Sequence, residues 1–203
     1  KFSVIPHGVE PGTSQSEAAP TNLLYVGRLI PSKGADALIR AIGLLSRTHK
    51  DVRLTIVGSG LISYQRKIRA LTRQMGLTKR IRWVKKSKYE AVQRMYTSYG
   101  AVIVPSTKES FCLVALEAMA NGVPLISTLS GGLKEFVNDQ NAQIISTVTS
   151  PDIARAIKAF WNNPSLTKNR VHNARSTAAR YNWSSITLQY ESLFTNLNKV
   201  EGQ

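Results

Sequence analysis

A doubly wound, parallel α/β sheet is the architecture that this 203-residue sequence predicts. Three observations lead there. Short runs rich in valine, isoleucine and leucine recur along the chain, each of strand length. Most are followed by a segment with the apolar spacing of an amphipathic helix. Glycine or proline marks many of the joins, ending one element and starting the next. Strands buried on both faces read as continuous apolar runs, and a helix after each strand makes the crossovers right-handed and the strands parallel. The outcome is a Rossmann-like domain with helices on both faces of one sheet. A chain of this length fits one large domain with a full core.

The elements follow in order. SVIPHGV (3–9) reads as a short strand running into a turn, and the polar PGTSQSEAAPT (11–21) as an exposed loop. NLLYVG (22–27) has strand length and is followed by a helix from Lys33 to His49, in which Leu38, Ile39, Ile42 and Leu45 share a face. VRLTIVG (52–58) is the next buried strand, then a basic amphipathic helix from Leu61 to Met75 that Gly76 stops. RIRWV (80–84) is a strand, and residues 88–98 a helix with Val92, Met95 and Tyr96 inward. AVIVP (101–105) is a strand, LVALEAMANG (113–122) a helix ended by Gly122, and VPLIST (123–128) a strand. GGLKEFV (131–137) opens a short helix and AQIIS (142–146) is the last strand. Three helices complete the chain over 151–162, 165–181 and 184–198. The organisation expected is a linker and first strand over 1–20, the sheet domain over 21–162, and terminal helices over 163–203.

Composition excludes several classes. No apolar run approaches the roughly 18 residues of a membrane span, and the N-terminal segment has no long apolar core followed by a cleavage site. One cysteine, Cys112, rules out an internal disulfide and a cysteine-based zinc cluster, and a reducing, cytoplasmic setting is expected. His49 and His172 lack a metal-ligand spacing, so no metal is expected. Trp83, Trp161 and Trp183 read as packing residues.

The charge is unusual. Lys and Arg number 27 against 12 Asp and Glu, a net +15. Between Arg66 and Lys88 the cations Arg66, Lys67, Arg69, Arg73, Lys79, Arg80, Arg82, Lys85, Lys86 and Lys88 occur without one acidic residue. Such a stripe fits an anionic partner, and equally a solvated helix face.

In an open parallel sheet the ligand lies outside the carboxyl ends of the strands. The loops expected there are GRLIPSKG (27–34), GSG (58–60), PSTKESFCL (105–113) and TLSGGLKE (128–135). Glycine, serine and charge in such loops suit a phosphate-containing ligand. Arg28 and Lys33 can reach one phosphate, the guanidinium as a fork and the ammonium as a point charge. As surface cations they would need no ligand at all. Glu109 falls in the loop before a helix and Glu117 about one turn inside it. The amides near Cys112, Leu113 and Val114 would open that helix, where free N–H groups favour a diphosphate. A loop glutamate can bind sugar hydroxyls and a deeper one a ribose diol.

These segments together resemble a known family. VIPHGVE (4–10), GRLIPSKG (27–34), LTIVGSG (54–60), VPSTKESFCLVALEAMANGVPLI (104–126) and SGGLKEFV (130–137) are similar, in order and spacing, to the C-terminal domain of family-4 retaining glycosyltransferases of the GT-B fold. The aromatic tail YNWSSITLQYESLF (181–194) fits the same family. The resemblance implies transfer of a sugar from a nucleotide-diphosphate donor with retention of configuration, without a metal or other cofactor. It implies that Arg28 and Lys33 hold the diphosphate, that Glu109 is the catalytic glutamate facing the transferred sugar, and that Glu117 binds the ribose. The amides of Leu113 and Val114 would cradle phosphate, Val84 and Lys85 would lie where the base docks, and Gly27, Gly58 and Phe111 would complete the donor site. It further implies an acceptor-binding N-terminal domain as partner, on which the terminal helices pack, and little activity without it.

The family commonly reads E-G-F-G-L where this chain has Glu109-Ser110-Phe111-Cys112-Leu113. Both glycines are replaced, which restricts the backbone where the donor approaches. Lys85-Lys86 replaces a common glycine, and His7 stands where asparagine is usual and reads as a hinge residue. The rival readings are a non-catalytic GT-B-like subunit, another GT-B enzyme such as an epimerase or phosphorylase, and a basic polyanion-binding domain. Specific nucleic-acid binding is not expected, because neither interleaved aromatics nor a reading helix is present. The stripe would instead place the enzyme peripherally at the inner face of an anionic membrane.

Overall fold

The computed structural model describes residues 4–12, 16–85 and 87–201. Its strands are β1 (Asn22–Val26), β2 (Arg53–Val57), β3 (Ile81–Val84), β4 (Ala101–Val104), β5 (Leu125–Ser127) and β6 (Gln143–Ile144). Every pairing is parallel and the order is β3-β2-β1-β4-β5-β6. The helices are α1 (Ala35–Leu45), α2 (Ile62–Gln74), α3 (Tyr89–Tyr96), α4 (Leu113–Ala120), α5 (Ser150–Asn162), α6 (Pro164–Ala179) and α7 (Trp183–Glu201). The doubly wound Rossmann-like fold is therefore the observed one.

Alternation along the strands divides the core in two. Leu23, Tyr25, Leu54, Ile56, Ala101 and Ile103 face one side, beneath α1, α2 and α5. Leu24, Val57, Val102 and Val104 face the other, with α3, α4 and α6 above them. Helix α4 is apolar almost all round because it lies between the sheet and α6, with Ala115 to Met119 buried.

Some expected elements are shorter or absent. Among residues 4–9 no strand forms; Val9 makes only an isolated bridge to Asn182, and its N–H donates to the Tyr181 carbonyl at 2.8 Å. Pro6 has no N–H for a ladder, and the segment runs beside the α6–α7 corner rather than the sheet. The helix expected from Lys33 starts at Ala35, because Gly34 sits at φ +68° after a 3₁₀ turn over Pro31–Lys33. GGLKEFV also gives a single 3₁₀ turn, Gly131–Glu135. The final strand spans only Gln143–Ile144, since it is the sheet edge with β5 as its one neighbour. Trp83 and Trp161 pack against the core as expected, whereas Trp183 is 46% exposed and lies over Gly8. Leu188, Tyr190 and Phe194 of α7 are also exposed.

The basic run divides in space. Arg66, Lys67 and Arg73 are exposed on α2, with Ile62 on the same stripe one turn before Arg66. Arg69 lies over the Trp83 ring, 4.5 Å from its centroid, and Arg80 donates to the Lys50 carbonyl. Ile81 and Trp83 face the α2 side, so the alternating Arg82 points to the opposite face of the sheet. Lys86 lies outside the described residues. Among the described residues, no helix is long and apolar enough to cross a membrane.

Candidate functional site

Strand order reverses between β1 and β4, and there the crossovers leave in opposite directions. A crevice at the carboxyl ends of these two strands is the geometric consequence. It holds a cavity of about 320 Å³, lined by Gly27, Arg28, Lys33, Glu109, Phe111, Leu113 and Val114, together with His7, Tyr25, Ser106, Ser110 and Cys112.

Three close backbone approaches build its walls. A Cβ on Gly58, at φ +143°, would lie 2.0 Å from the Gly27 carbonyl oxygen, so Gly58 supports the Arg28 loop from beneath. Gly34 sits equally close to the Pro105 carbonyl oxygen, and the Thr107 N–H donates to Ser32 at 2.8 Å. The Lys33 turn is thereby tied to the loop after β4. Gly131 and Gly132 press against the carbonyls of Glu109 and Ser110, and the Gly132 N–H donates to Glu109 at 3.2 Å.

The charged groups meet inside this frame. Lys33 Nζ lies 2.5 Å from Glu109 Oε2, with side-chain exposures of 15% and 8%. Ser106 Oγ donates to Glu109 Oε1 at 2.7 Å, and Thr128 Oγ1 donates to the Ser106 carbonyl at 2.7 Å. Both carboxylate oxygens of Glu109 are thus oriented. Arg28 is exposed at the mouth, and its backbone carbonyl accepts from the Tyr25 hydroxyl at 3.2 Å. Burial raises the Tyr25 phenol well above its ordinary pKa, with Tyr64 and Glu109 adding to it.

Helix α4 opens onto the cavity. Leu113 and Val114 stand at its first two positions, where no intrahelical carbonyl is available, and no acidic residue occupies its first turn. Their N–H groups and the positive end of the helix dipole favour an anion. Cys112, before the helix, has φ +84°, the one positive φ among described residues other than glycine. This is where the resembling family carries a glycine, so the thiol is accommodated at a strained backbone position. Burial, and then Glu109, push its pKa up to about 12, which keeps it a neutral thiol near pH 7.

Not every expected residue joins the cavity. Glu117 faces inward, 8% exposed, and accepts from the Tyr96 hydroxyl at 2.6 Å. Burial raises its carboxyl pKa against the opposing effect of that hydrogen bond. Gly58, Val84 and Lys85 are outside the cavity wall, the last two at the carboxyl end of β3. Conversely, His7 and Ser106 line the cavity without having been assigned to it from sequence. Nothing local marks the contact between His7 and Phe111, whereas the P-S-x-x-E spacing does hint that Ser106 can reach Glu109. Among the described residues, no three His, Cys, Asp or Glu side chains gather as a metal site.

The model of the family described as glycosyl transferases group 1 matches residues 12–177, most of the chain. The chain belongs to this family. Among curated relatives of this group 1 domain is a glycogen synthase from Mycobacterium tuberculosis, 29% identical over 215 residues, covering 100% of the chain and 50% of the relative. A sucrose-phosphate synthase structure from Thermosynechococcus elongatus superimposes with a TM-score of 0.84 at 26% identity, covering 97% of this chain and 52% of that one. Anabaena Alr3699/HepE in complex with UDP superimposes with a TM-score of 0.77 at 24% identity, covering 86% and 48%. The chain spans about half the length of the curated relatives it matches.

Proposed function

We propose that this chain holds the nucleotide-diphosphate-sugar donor of a retaining glycosyltransferase. One observation carries the reading: Arg28, Lys33, Glu109 and the free amides of Leu113 and Val114 line a single cavity at the switch point. A donor placed there sets its diphosphate against two cations and a helix N-terminus. As the bond from the sugar carbon to diphosphate oxygen breaks, negative charge grows on the diphosphate. These fixed groups stabilise that charge, which is the role a divalent ion would otherwise take. The acceptor hydroxyl oxygen then bonds to the sugar carbon, and its proton passes to the departing diphosphate oxygen. Glu109 lies beside the diphosphate groups, so its carboxylate would bind the sugar hydroxyls near the reacting carbon. Glu117 would meet the ribose from the buried side, its carboxylate held by Tyr96. The base would extend toward Val84 and Lys85. The UDP described in the HepE structure supports a nucleoside diphosphate as the ligand class.

The relatives are about twice as long, and we assign the acceptor to a second domain that would also cover the exposed face of α7. On this reading the chain binds donor but transfers sugar slowly by itself. Titration calorimetry against a panel of UDP- and GDP-sugars should give saturable heat with at least one of them. The complete absence of heat across that panel would refute the donor reading.

The exposed cations of α2, flanked by Ile62 at 67% and Leu61 at 55% exposure, suit peripheral attachment to an anionic membrane on the cytoplasmic side. Each Lys or Arg near such a surface contributes about 1 kcal/mol. Co-sedimentation should be at least about tenfold stronger with vesicles containing anionic lipid than with neutral ones, and R66E/R73E should abolish the difference. Equal sedimentation with both vesicle types would rule the attachment out.

A further inference from the structure

We propose that His7 is a further ligand of the donor diphosphate, a titratable third cation whose protonation tightens donor binding. The inference rests on the donor reading above and adds a residue and a pH dependence to it.

His7 lines the same cavity as Arg28, Lys33 and Glu109. Two anchors hold its ring there. Behind it, Gly8 lies under Trp183, where a Cβ would come within 2.5 Å of the indole, and Val9 donates to Tyr181. Beside it, the imidazole meets the Phe111 ring at 5.9 Å, tilted by 57°. Phe111 is itself packed against Phe136 at 5.2 Å and Tyr181 at 5.9 Å. Neither imidazole nitrogen has a hydrogen-bond partner among the described residues, so both are free for a ligand.

Charge balance then identifies what is lacking. Around the cavity stand Arg28, Lys33 and Glu109, with Tyr25 from β1, Cys112 before α4 and Tyr181 from the α6–α7 corner nearby. The Lys33 and Glu109 charges offset each other, leaving Arg28 as the net positive group against a diphosphate of charge two. An imidazolium at His7 makes up the difference. Histidine is the side chain able to gain a positive charge within the range used below. Each phosphate of a nucleotide sugar carries one ester and one anhydride bond and takes up no proton in that interval, so a slope would belong to the protein.

The test is calorimetry with a nucleotide sugar that binds, from about pH 5.5 to about pH 8, on the wild type, His7→Asn and His7→Phe. The wild type should bind roughly three- to tenfold tighter at the acid end. His7→Asn, which places the residue usual in the resembling family, should bind with an affinity independent of pH. His7→Phe retains the ring packing and should also lose the slope. A flat wild-type profile, or a slope that survives in His7→Asn, overturns the inference while leaving donor binding intact. Weakening in His7→Asn by one factor at every pH, with the slope kept, would mean that the ring only packs. Absence of binding at any pH would remove the donor reading itself, and this inference with it.

Discussion

Lys33→Ala should weaken nucleotide-sugar binding by roughly 30- to 300-fold, the largest loss expected from any single side chain in the cavity. Two effects act together. The first is the lost contact with the diphosphate, for which a charge-assisted hydrogen bond is typically about 1.5–3 kcal/mol. The second comes from Glu109. Its side chain is 8% exposed and Lys33 lies 2.5 Å from Oε2, so removing the ammonium leaves a nearly buried carboxylate facing the incoming phosphates. Repulsion then adds to the missing attraction. The combination K33A/E109A separates the two, because it removes the unpaired anion as well. It should bind donor more tightly than Lys33→Ala alone, although less tightly than the wild type. This coupling is what a double-mutant cycle measures. Calorimetry on the four proteins is the measurement. Binding by Lys33→Ala within threefold of the wild type would show that Lys33 is merely the partner of Glu109.

Gly131→Ala should both destabilise the domain and abolish donor binding. The residue has φ +55°, and an added Cβ would lie 2.0 Å from the Glu109 carbonyl oxygen. An alanine in the left-handed region costs about 1–2 kcal/mol before any clash is counted. The clash is with backbone, which cannot swing aside as a flexible side chain would, so the total should reach roughly 2–4 kcal/mol. For a domain of this size each kcal/mol lowers Tm by about 2–4 °C, giving a fall of roughly 5–15 °C. Gly76→Ala is the control. Gly76 has φ +67° with nothing within 4 Å of the added Cβ, so it reports the cost of the backbone conformation alone. Thermal unfolding of both, followed by donor titration at a temperature where both are folded, decides the matter. If Gly131→Ala matches Gly76→Ala in Tm and still binds donor, the close approach to Glu109 is not what shapes the site.

Both results concern residues whose roles were unequally visible in the sequence. Arg28 and Lys33 could be placed at the strand-end crevice because they follow an apolar run and precede a helical one, and strand-end loops are where such sheets bind. The same logic located Glu109 and the amides of Leu113 and Val114. It could not show that Lys33 and Glu109 pair, since they come from loops after different strands. Glu117 was legible as lying one turn into α4, but its depth depends on Tyr96, which arrives from another helix. Over residues 4–9 the expected strand failed for a related reason: Val9 is buried against the α6–α7 corner, a neighbour that local pattern does not reveal. Gly131-Gly132 read as part of a strand-end loop and the opening of a helix, whereas its close approach to the Glu109–Ser110 backbone was not visible in the sequence.

By itself the sequence determined the layers, the succession of strands and helices, and the loops that must lie at the carboxyl edge of the sheet. Those properties follow from apolar periodicity and from helix-stopping residues, which act over a few positions along the chain. Only the tertiary structure decided which strands are neighbours, that the reversal falls between β1 and β4, and that His7 meets Phe111 across the resulting cavity. It also decided that the basic run divides between the two sides of the sheet. These depend on how distant segments cross and pack, which no short-range pattern encodes.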